Sequence, residues 1–247
     1  MTRKPIALTI AGSDSGGGAG LQADLKTFQA FGVFGTSAVT LITAQNTLGV
    51  QRTFLLPPDV VAAQIRSVLA DLPPAAIKIG ALGGADIIRA VAAELRGAEV
   101  PIILDPVMVA KGGASLLDPR GMTALMDDLL PLAALTTPNL PEAEALGAAL
   151  SGRNVLLKGG HAAGDTVVDR LHWQGREYRF TVPRQQTHHT HGTGCTLSSA
   201  IAAGLALGQP MPQAVAQAQA YVARAMAAAP GLGGGHGPLE HGVSGVD

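Results

Sequence analysis

Short apolar runs at 6–11, 36–43, 51–55, 76–79, 102–104, 134–136 and 155–157 largely alternate with segments of helical periodicity. Most of these runs stop at Gly, Asp, Pro or Lys-Gly. Helices are expected over 19–31, 58–71, 85–96, 120–130, 141–150, 196–207 and 212–228. Such βαβα alternation favours an α/β fold, with a mostly parallel central sheet and helices on both faces. Runs at 167–173 and 177–182, separated by Gln174-Gly175-Arg176, read as an antiparallel hairpin at the sheet edge. The glycine-rich tail, 230–247, is read as partly mobile. No internal repeat or linker interrupts the pattern, so a single domain over 1–247 is expected.

Composition narrows the partners. Hydrophobic residues make up 47% and charged residues only 14%, which is ample material for a buried core. A net charge of −1 argues against a nucleic-acid surface or an electrostatic membrane anchor. Cys195 is the only cysteine, which excludes an intramolecular disulfide and fits a reducing compartment. The apolar run after the basic start ends by Asp14, too soon for a signal peptide, and no stretch is long enough to span a bilayer. A soluble, cytoplasmic protein is the expectation.

Polar residues collect where strands end: Gly12-Ser13-Asp14, Ala44-Gln45-Asn46, Lys78, Asp105, Thr137-Pro138-Asn139 and Lys158-Gly159-Gly160-His161. In open α/β sheets that is where ligands bind, so a small-molecule enzyme is implied. The segment Thr190-His191-Gly192-Thr193-Gly194-Cys195-Thr196 joins a glycine loop to the apolar run 197–207. A helix opening there offers unpaired N–H groups to an anion, and the helix end would favour a Cys195 thiolate. A tight turn with a structural cysteine is the plain alternative. The cluster from Gly12 to Gly20 fits neither a dinucleotide fingerprint, since Leu21 stands where glycine is required, nor a Walker A loop, since Gly18 and Ala19 replace its Lys and Ser/Thr. It suits close backbone approach to a ligand, or simply a flexible loop. Asp105, Asn139 and Glu142 are hard oxygen ligands suited to a water-rich Mg²⁺ beside phosphates, although Asn139 and Glu142 also read as a helix cap. Lys158 is placed to reach a phosphate or to lie in solvent. His188, His189 and His191 lack a partner cluster of the kind zinc requires.

Together these segments resemble the hydroxymethylpyrimidine/phosphomethylpyrimidine kinases of thiamine synthesis, in the ribokinase-like superfamily. The strings are LTIAGSDSGGGAGLQADLKTFQAFGVFG, TAQNTLGV, IKIGAL, LDPVMVAKGG, TPNLPEAEAL, LLKGGH and HTHGTGCT, in family order over nearly the whole chain. The resemblance implies ATP-dependent phosphorylation of 4-amino-5-hydroxymethyl-2-methylpyrimidine and then of its monophosphate. It places Gln45 on the amino group and adjacent ring nitrogen of the pyrimidine, with Gly12, Ala19, Asp24, Thr43 and Val107 around the ring. It makes Cys195 the base or orienting group for the hydroxyl, with Gly192, Thr193 and Gly194 facing the transferring phosphoryl. Asn139, Lys158 and Thr187 fall on the ATP side, Asp105 and Glu142 on Mg²⁺, and a homodimer is implied. Three departures stand out: Ala81 replaces a usual methionine, the stretch from Glu144 to Asn154 is short, and His188 and the tail near Gly234 lack usual lysines. Pyridoxal kinase, of the same superfamily, is the nearer rival. A non-catalytic nucleotide-binding module is the more distant one.

Overall fold

The computed structural model describes residues 4–109, 113, 116–160 and 164–246. Among these, one sheet runs in the order β3-β2-β1-β4-β5-β6-β7-β8-β9. Its strands are β1 (Ile6–Asp14), β2 (Phe34–Asn46), β3 (Gly49–Leu55), β4 (Ala76–Ile79), β5 (Ile102–Leu104), β6 (Leu135–Thr136), β7 (Val155–Leu157), β8 (Thr166–Trp173) and β9 (Arg176–Pro183). Pairing is parallel from β2 through β7 and antiparallel at both edges. Chain direction across the sheet switches beside β1, which pairs with β2 on one side and β4 on the other.

Seven α-helices cover the faces among the described residues: α1 (Gly20–Ala30), α2 (Pro58–Asp71), α3 (Ala85–Leu95), α4 (Pro119–Ala124), α5 (Leu140–Leu146), α6 (Thr193–Ala206) and α7 (Met211–Ala227). One buried cluster joins Leu8, Ile10, Ile77 and Ile79 to α2, α3 and Leu125–Leu129. The other joins Ala7, Ala76 and Ile103 to α1, α6 and α7. Strands buried on both faces read as continuous apolar runs, and β4 and β5 do so. Helix α6 is buried from Thr196 to Gly204, as expected for a helix apolar on nearly all sides.

Several boundaries move. β2 continues past residue 43 to Asn46 and turns into β3, so a second hairpin forms the opposite sheet edge. An exposed edge needs no apolar alternation, which hid this from periodicity. The segment expected as one helix over 120–130 starts at Pro119, capped by the Asp118 carboxylate at 2.6 Å from Gly121 N. It then widens to a π-turn at Leu125–Leu129 and tightens to 3₁₀ at Leu130–Leu132, where Pro131 cannot donate a helical bond. α5 stops at Leu146 because Gly147 turns to φ 48°, and a 3₁₀ turn carries the chain to Leu150. The β8–β9 turn has two residues, not three: Gln174 and Gly175 both take positive φ, matching a type I′ hairpin, and Arg176 opens β9. An open cleft lined by Ala143, Leu150, Val155, Leu157 and His172 lies beside the short stretch between Glu144 and Asn154.

The tail is tied to distant elements by backbone bonds. His236 N donates to Thr47 O at 3.0 Å, Glu240 N to Ala225 O at 2.9 Å and Gly245 N to Ala30 O at 3.0 Å. Leu239 is buried, and the Tyr221 hydroxyl donates to His241 O. Glycine content signals a lack of intrinsic structure; here bonds to distant elements supply the order.

Candidate active site

The ends of the parallel strands gather the predicted polar residues along one edge: Asp14, Gln45, Asp105, Asn139 and Lys158. The start of α6 lies over them. Gly192 caps α6 at φ 83°, and a Cβ there would stand 1.9 Å from Gly18 O. Only glycine permits both the left-handed backbone and this approach. A Cβ at Gly20 would likewise meet Gly12 O at 2.4 Å. The two glycine loops therefore pack backbone to backbone. The first helical bond of α6 runs from Thr196 N to Gly192 O at 2.8 Å, so the Gly194 and Cys195 N–H groups have no partner within the helix, while Thr193 N makes a long bond of 3.5 Å to Thr190 O. The helix begins three residues before the expected 196, which puts Cys195 inside its first turn.

Cys195 does not have the depressed pKa expected of a helix N-terminus. Burial pushes the thiol up to about 11, the carboxylates of Asp24 and Asp105 add to this, and the Lys78 ammonium and the Gly20 N–H only partly oppose it. Desolvation outweighs the helix end here.

Asp24 was expected beside the pyrimidine ring. Its side chain is completely buried. Its oxygens accept from Lys78 Nζ at 2.8 and 2.9 Å, from Thr9 Oγ1 at 2.6 Å and from Ser199 Oγ at 2.6 Å. Lys78 is equally buried. Burial alone would depress its ammonium, but Asp24, with Cys195 and Asp105 adding, holds it above its ordinary value.

On the other flank Lys158 Nζ donates to Asp105 Oδ1 at 2.8 Å and stands 3.8 Å from Glu142 Oε2. Thr137 Oγ1 also donates to Asp105 at 3.3 Å. A Cβ on Gly194 would come within 3.3 Å of Lys158 Nζ and 3.6 Å of Asp105 Oδ2, so this cluster abuts the first turn of α6. Asn139 and Glu142 form the reciprocal cap weighed above: Asn139 Oδ1 accepts from Glu142 N at 2.9 Å and Glu142 Oε2 from Asn139 N at 2.8 Å. Burial raises the Glu142 pKa to about 7; Lys158 opposes this and Asp105 reinforces it. Two carboxylates share one lysine, which leaves the cluster receptive to a further cation. Hard oxygens of this kind fit Mg²⁺, which keeps most of its water and needs few protein ligands. Among the described residues no group of three or more His, Cys, Asp or Glu side chains converges.

Gln45, next to last in β2, has its amide 3.1 Å from Thr43 Oγ1 and 3.3 Å from His191 Nε2. Asp14, buried at the end of β1, accepts from Gly16, Gly18 and Ala19 N–H groups and from His191 Nε2 at 2.8 Å. Burial pushes its carboxyl up, but the His191 bond, the Gly16 and Ala19 N–H groups and the imidazole's charge together hold it below its ordinary value. Ala19, whose N–H binds Asp14, and Val107, which follows β5, are half-buried, Gly12 packs on Leu41, and Ala81 follows β4 with its carbonyl accepting from Thr40. Thr187 does not join the Asp105 cluster through any bond of its own; its hydroxyl accepts from His189 N in the loop before α6. His161 and residues 110–112 lie outside the described residues. Sequence reasoning missed the Asp14–His191 pair and the Lys78–Asp24 pair. The only signal for either was an ionisable residue inside or ending an apolar strand.

Comparison with known proteins identifies the family. The family model described as phosphomethylpyrimidine kinase matches residues 14–151 and 147–240. A hydroxymethylpyrimidine/phosphomethylpyrimidine kinase of Haemophilus influenzae is 47% identical over 265 residues, with 98% of each chain covered. Among solved structures, an ADP complex of Bacillus subtilis pyridoxal kinase matches with a TM-score of 0.90 at 33% identity, covering 99% of this chain and 100% of that one. The phosphomethylpyrimidine kinase of Clostridium difficile matches with a TM-score of 0.76 at 39% identity, covering 89% of this chain and 98% of that one. The α/β fold is the ribokinase-like one. The chain belongs to the hydroxymethylpyrimidine/phosphomethylpyrimidine kinase family and is a phosphotransferase of thiamine biosynthesis.

Proposed function

We propose that this kinase moves the γ-phosphoryl group of ATP first to the hydroxymethyl oxygen of 4-amino-5-hydroxymethyl-2-methylpyrimidine and then to the resulting monophosphate, as one catalytic domain. The supporting observation is the position of the α6 first turn between two chemically distinct flanks. Gln45 and Thr43 offer an amide and a hydroxyl on one side, and Asp105, Lys158 and Glu142 offer charge on the other. Phosphoryl transfer depends mainly on positioning and charge stabilisation. The Thr193 and Gly194 N–H groups face the transferring phosphoryl across the Gly192 cap, and Lys158 neutralises phosphate oxygens beside them. Asn139 holds Glu142 in place, and Thr187 borders the nucleotide from the loop before α6. Cys195 Sγ orients the acceptor hydroxyl and, as the thiolate, takes its proton. Gly12, Ala19 and Val107 border the ring.

Asp105 and Glu142 would hold Mg²⁺, which when bound supplies positive charge beside the phosphates. Excess chelator is expected to abolish turnover, and Mn²⁺ to restore it as Mg²⁺ does. Full turnover in chelator would remove this assignment.

The test of the pyrimidine reading is Gln45→Leu. A planar carboxamide supplies the acceptor and donor that an aminopyrimidine edge needs. Its loss is expected to weaken pyrimidine binding by about 1–3 kcal/mol while leaving ATP binding nearly unchanged. Unaltered KM and kcat for the pyrimidine would take Gln45 out of the pocket. Pyridoxal is the second acceptor to assay side by side, because of the likeness to the B. subtilis pyridoxal kinase.

A cytoplasmic homodimer completes the reading. No helix among the described residues is long and apolar enough to cross a membrane. Ile42, Phe54 and Leu55 are exposed along the β2–β3 edge, with Val60 of α2 nearby in sequence. An apolar edge of this kind suits burial against a second copy.

A further inference from the structure

The bonds around Gln45 contain a contradiction that fixes which way its amide points. Gln45 Nε2 faces His191 Nε2 at 3.3 Å, and Oε1 faces Thr43 Oγ1 at 3.1 Å. His191 Nε2 also lies 2.8 Å from Asp14 Oδ2. That carboxylate accepts N–H groups from Gly16, Gly18 and Ala19 as well, so it is an acceptor only. His191 Nε2 must therefore carry a proton, whichever charge the ring has, and a second donor cannot face it. Thr43 Oγ1 lies 2.9 Å from Ser13 O. A carbonyl only accepts, so the single hydroxyl proton is spent there and Thr43 can only accept from Gln45. Both neighbours reject the first orientation. Half a turn about the amide, which exchanges two groups of nearly equal size, lets Nε2 donate to Thr43 Oγ1 and turns Oε1 toward the His191 N–H, whose one proton goes chiefly to Asp14 at 2.8 Å and is shared with the amide oxygen at the longer distance of 3.3 Å.

We propose that Asp14 and His191 are positioning residues that lock the Gln45 amide with Oε1 toward His191 and Nε2 toward Thr43, and so set the polarity of the ring edge this kinase accepts. The proposal rests on Gln45 reading the pyrimidine, as above. The locked amide presents an acceptor on the α6 side, since His191 directly precedes the Gly192 cap, and a donor on the β1–β2 side. On the aminopyrimidine the 4-amino donor is adjacent to the carbon bearing the hydroxymethyl group, and the ring nitrogen acceptor is one atom further away. With the hydroxymethyl group directed at α6, donor meets acceptor at both positions. The 4-oxo analogue has the inverted edge, N3–H donating and the carbonyl accepting, and is mismatched twice. The dyad is itself held firmly: a Cβ on Gly18 would stand 2.6 Å from His191 Cδ2, and His191 N donates to Gly237 O at 3.1 Å.

The test compares kcat/KM for the 4-amino substrate and its 4-oxo analogue. The native enzyme is expected to prefer the amino form by about 10²–10³-fold, because a site built for specific hydrogen bonds strongly rejects a mismatched partner. His191→Phe keeps a ring but removes the donor, freeing the amide to turn, and should bring the ratio to about tenfold or less. His191→Gln retains a donor and should keep most of the preference. Thr43→Val removes the acceptor on the other side and should narrow the ratio in the same direction, so it decides the matter should His191→Phe not fold. Ratios unchanged from native in the folded variants, while Gln45→Leu abolishes the preference, would overturn the lock and spare the pocket. A Gln45→Leu variant with native KM and native ratio would instead sink the pocket reading itself.

Discussion

Cys195→Ala is expected to lower kcat by about 10²–10⁴, the range for loss of a general base, with much smaller changes in substrate and ATP binding. The first-turn amides of α6 and the Lys158–Asp105 pair stay in place without the thiol, so binding survives. The raised pKa adds a second expectation. With the thiol pushed up to about 11, the thiolate is a minor species at neutral pH. If that thiolate takes the hydroxyl proton, kcat rises with pH across the neutral and mildly alkaline range, because raising pH populates the base. Cys195→Asp supplies a carboxylate already ionised at neutral pH, so it should restore part of the rate and flatten this alkaline rise. Alkylation should follow the same curve: slow at neutral pH, about tenfold faster per pH unit until the thiol titrates, and blocked by bound pyrimidine. An alanine variant with native kcat on both acceptors makes Cys195 a packing residue. A normal pH profile in that variant would point the same way.

Much of the fold was legible because local chemistry decides it. The boundaries of α2, β4, β5 and β7 match the sequence reading, since the three strands are apolar runs cut by Gly, Asp or Lys-Gly and α2 opens at Pro58. The exposed β2–β3 edge was only half visible, because Ala44-Gln45-Asn46 is held by cross-strand bonds and not by burial. At the site, the residue types and their strand-end placement could be read, but their pairing could not. Asp14 and His191 are 177 positions apart, and Lys78 and Asp24 are 54 apart. No local pattern encodes such partners; they meet only because β1, β4, α1 and α6 converge. The raised Cys195 pKa has the same origin. A helix N-terminus is written in the local sequence, whereas the desolvation and the buried carboxylates that outweigh it come from tertiary packing.

Lys78→Met is expected to destabilise the protein by about 3–5 kcal/mol, the cost of leaving one member of a buried ion pair without its partner. Both side chains are completely buried, so water cannot screen the Asp24 carboxylate once the ammonium is gone. For a chain of this size the loss corresponds to a drop in Tm of roughly 6–20 °C. The hydroxyls of Thr9 and Ser199 still donate to Asp24, which keeps the penalty from growing further. Lys78→Met/Asp24→Leu should recover much of the loss, because the uncompensated charge disappears, although the two hydroxyls then lack an acceptor. The sign of the pH dependence follows from the raised Lys78 pKa. Its contribution is fully present below the ordinary lysine value and fades only as pH climbs through the higher folded value, so the Tm gap between native and variant should stay constant from neutral pH to about 10. The pair also bears on the chemistry above it, since the Lys78 ammonium is the main charge opposing the elevated Cys195 pKa. Alkylation of Cys195 in folded Lys78→Met should therefore shift to still higher pH. A variant with native Tm would show that Asp24 finds another partner, and an unshifted alkylation curve would separate the pair's structural role from any influence on the thiol.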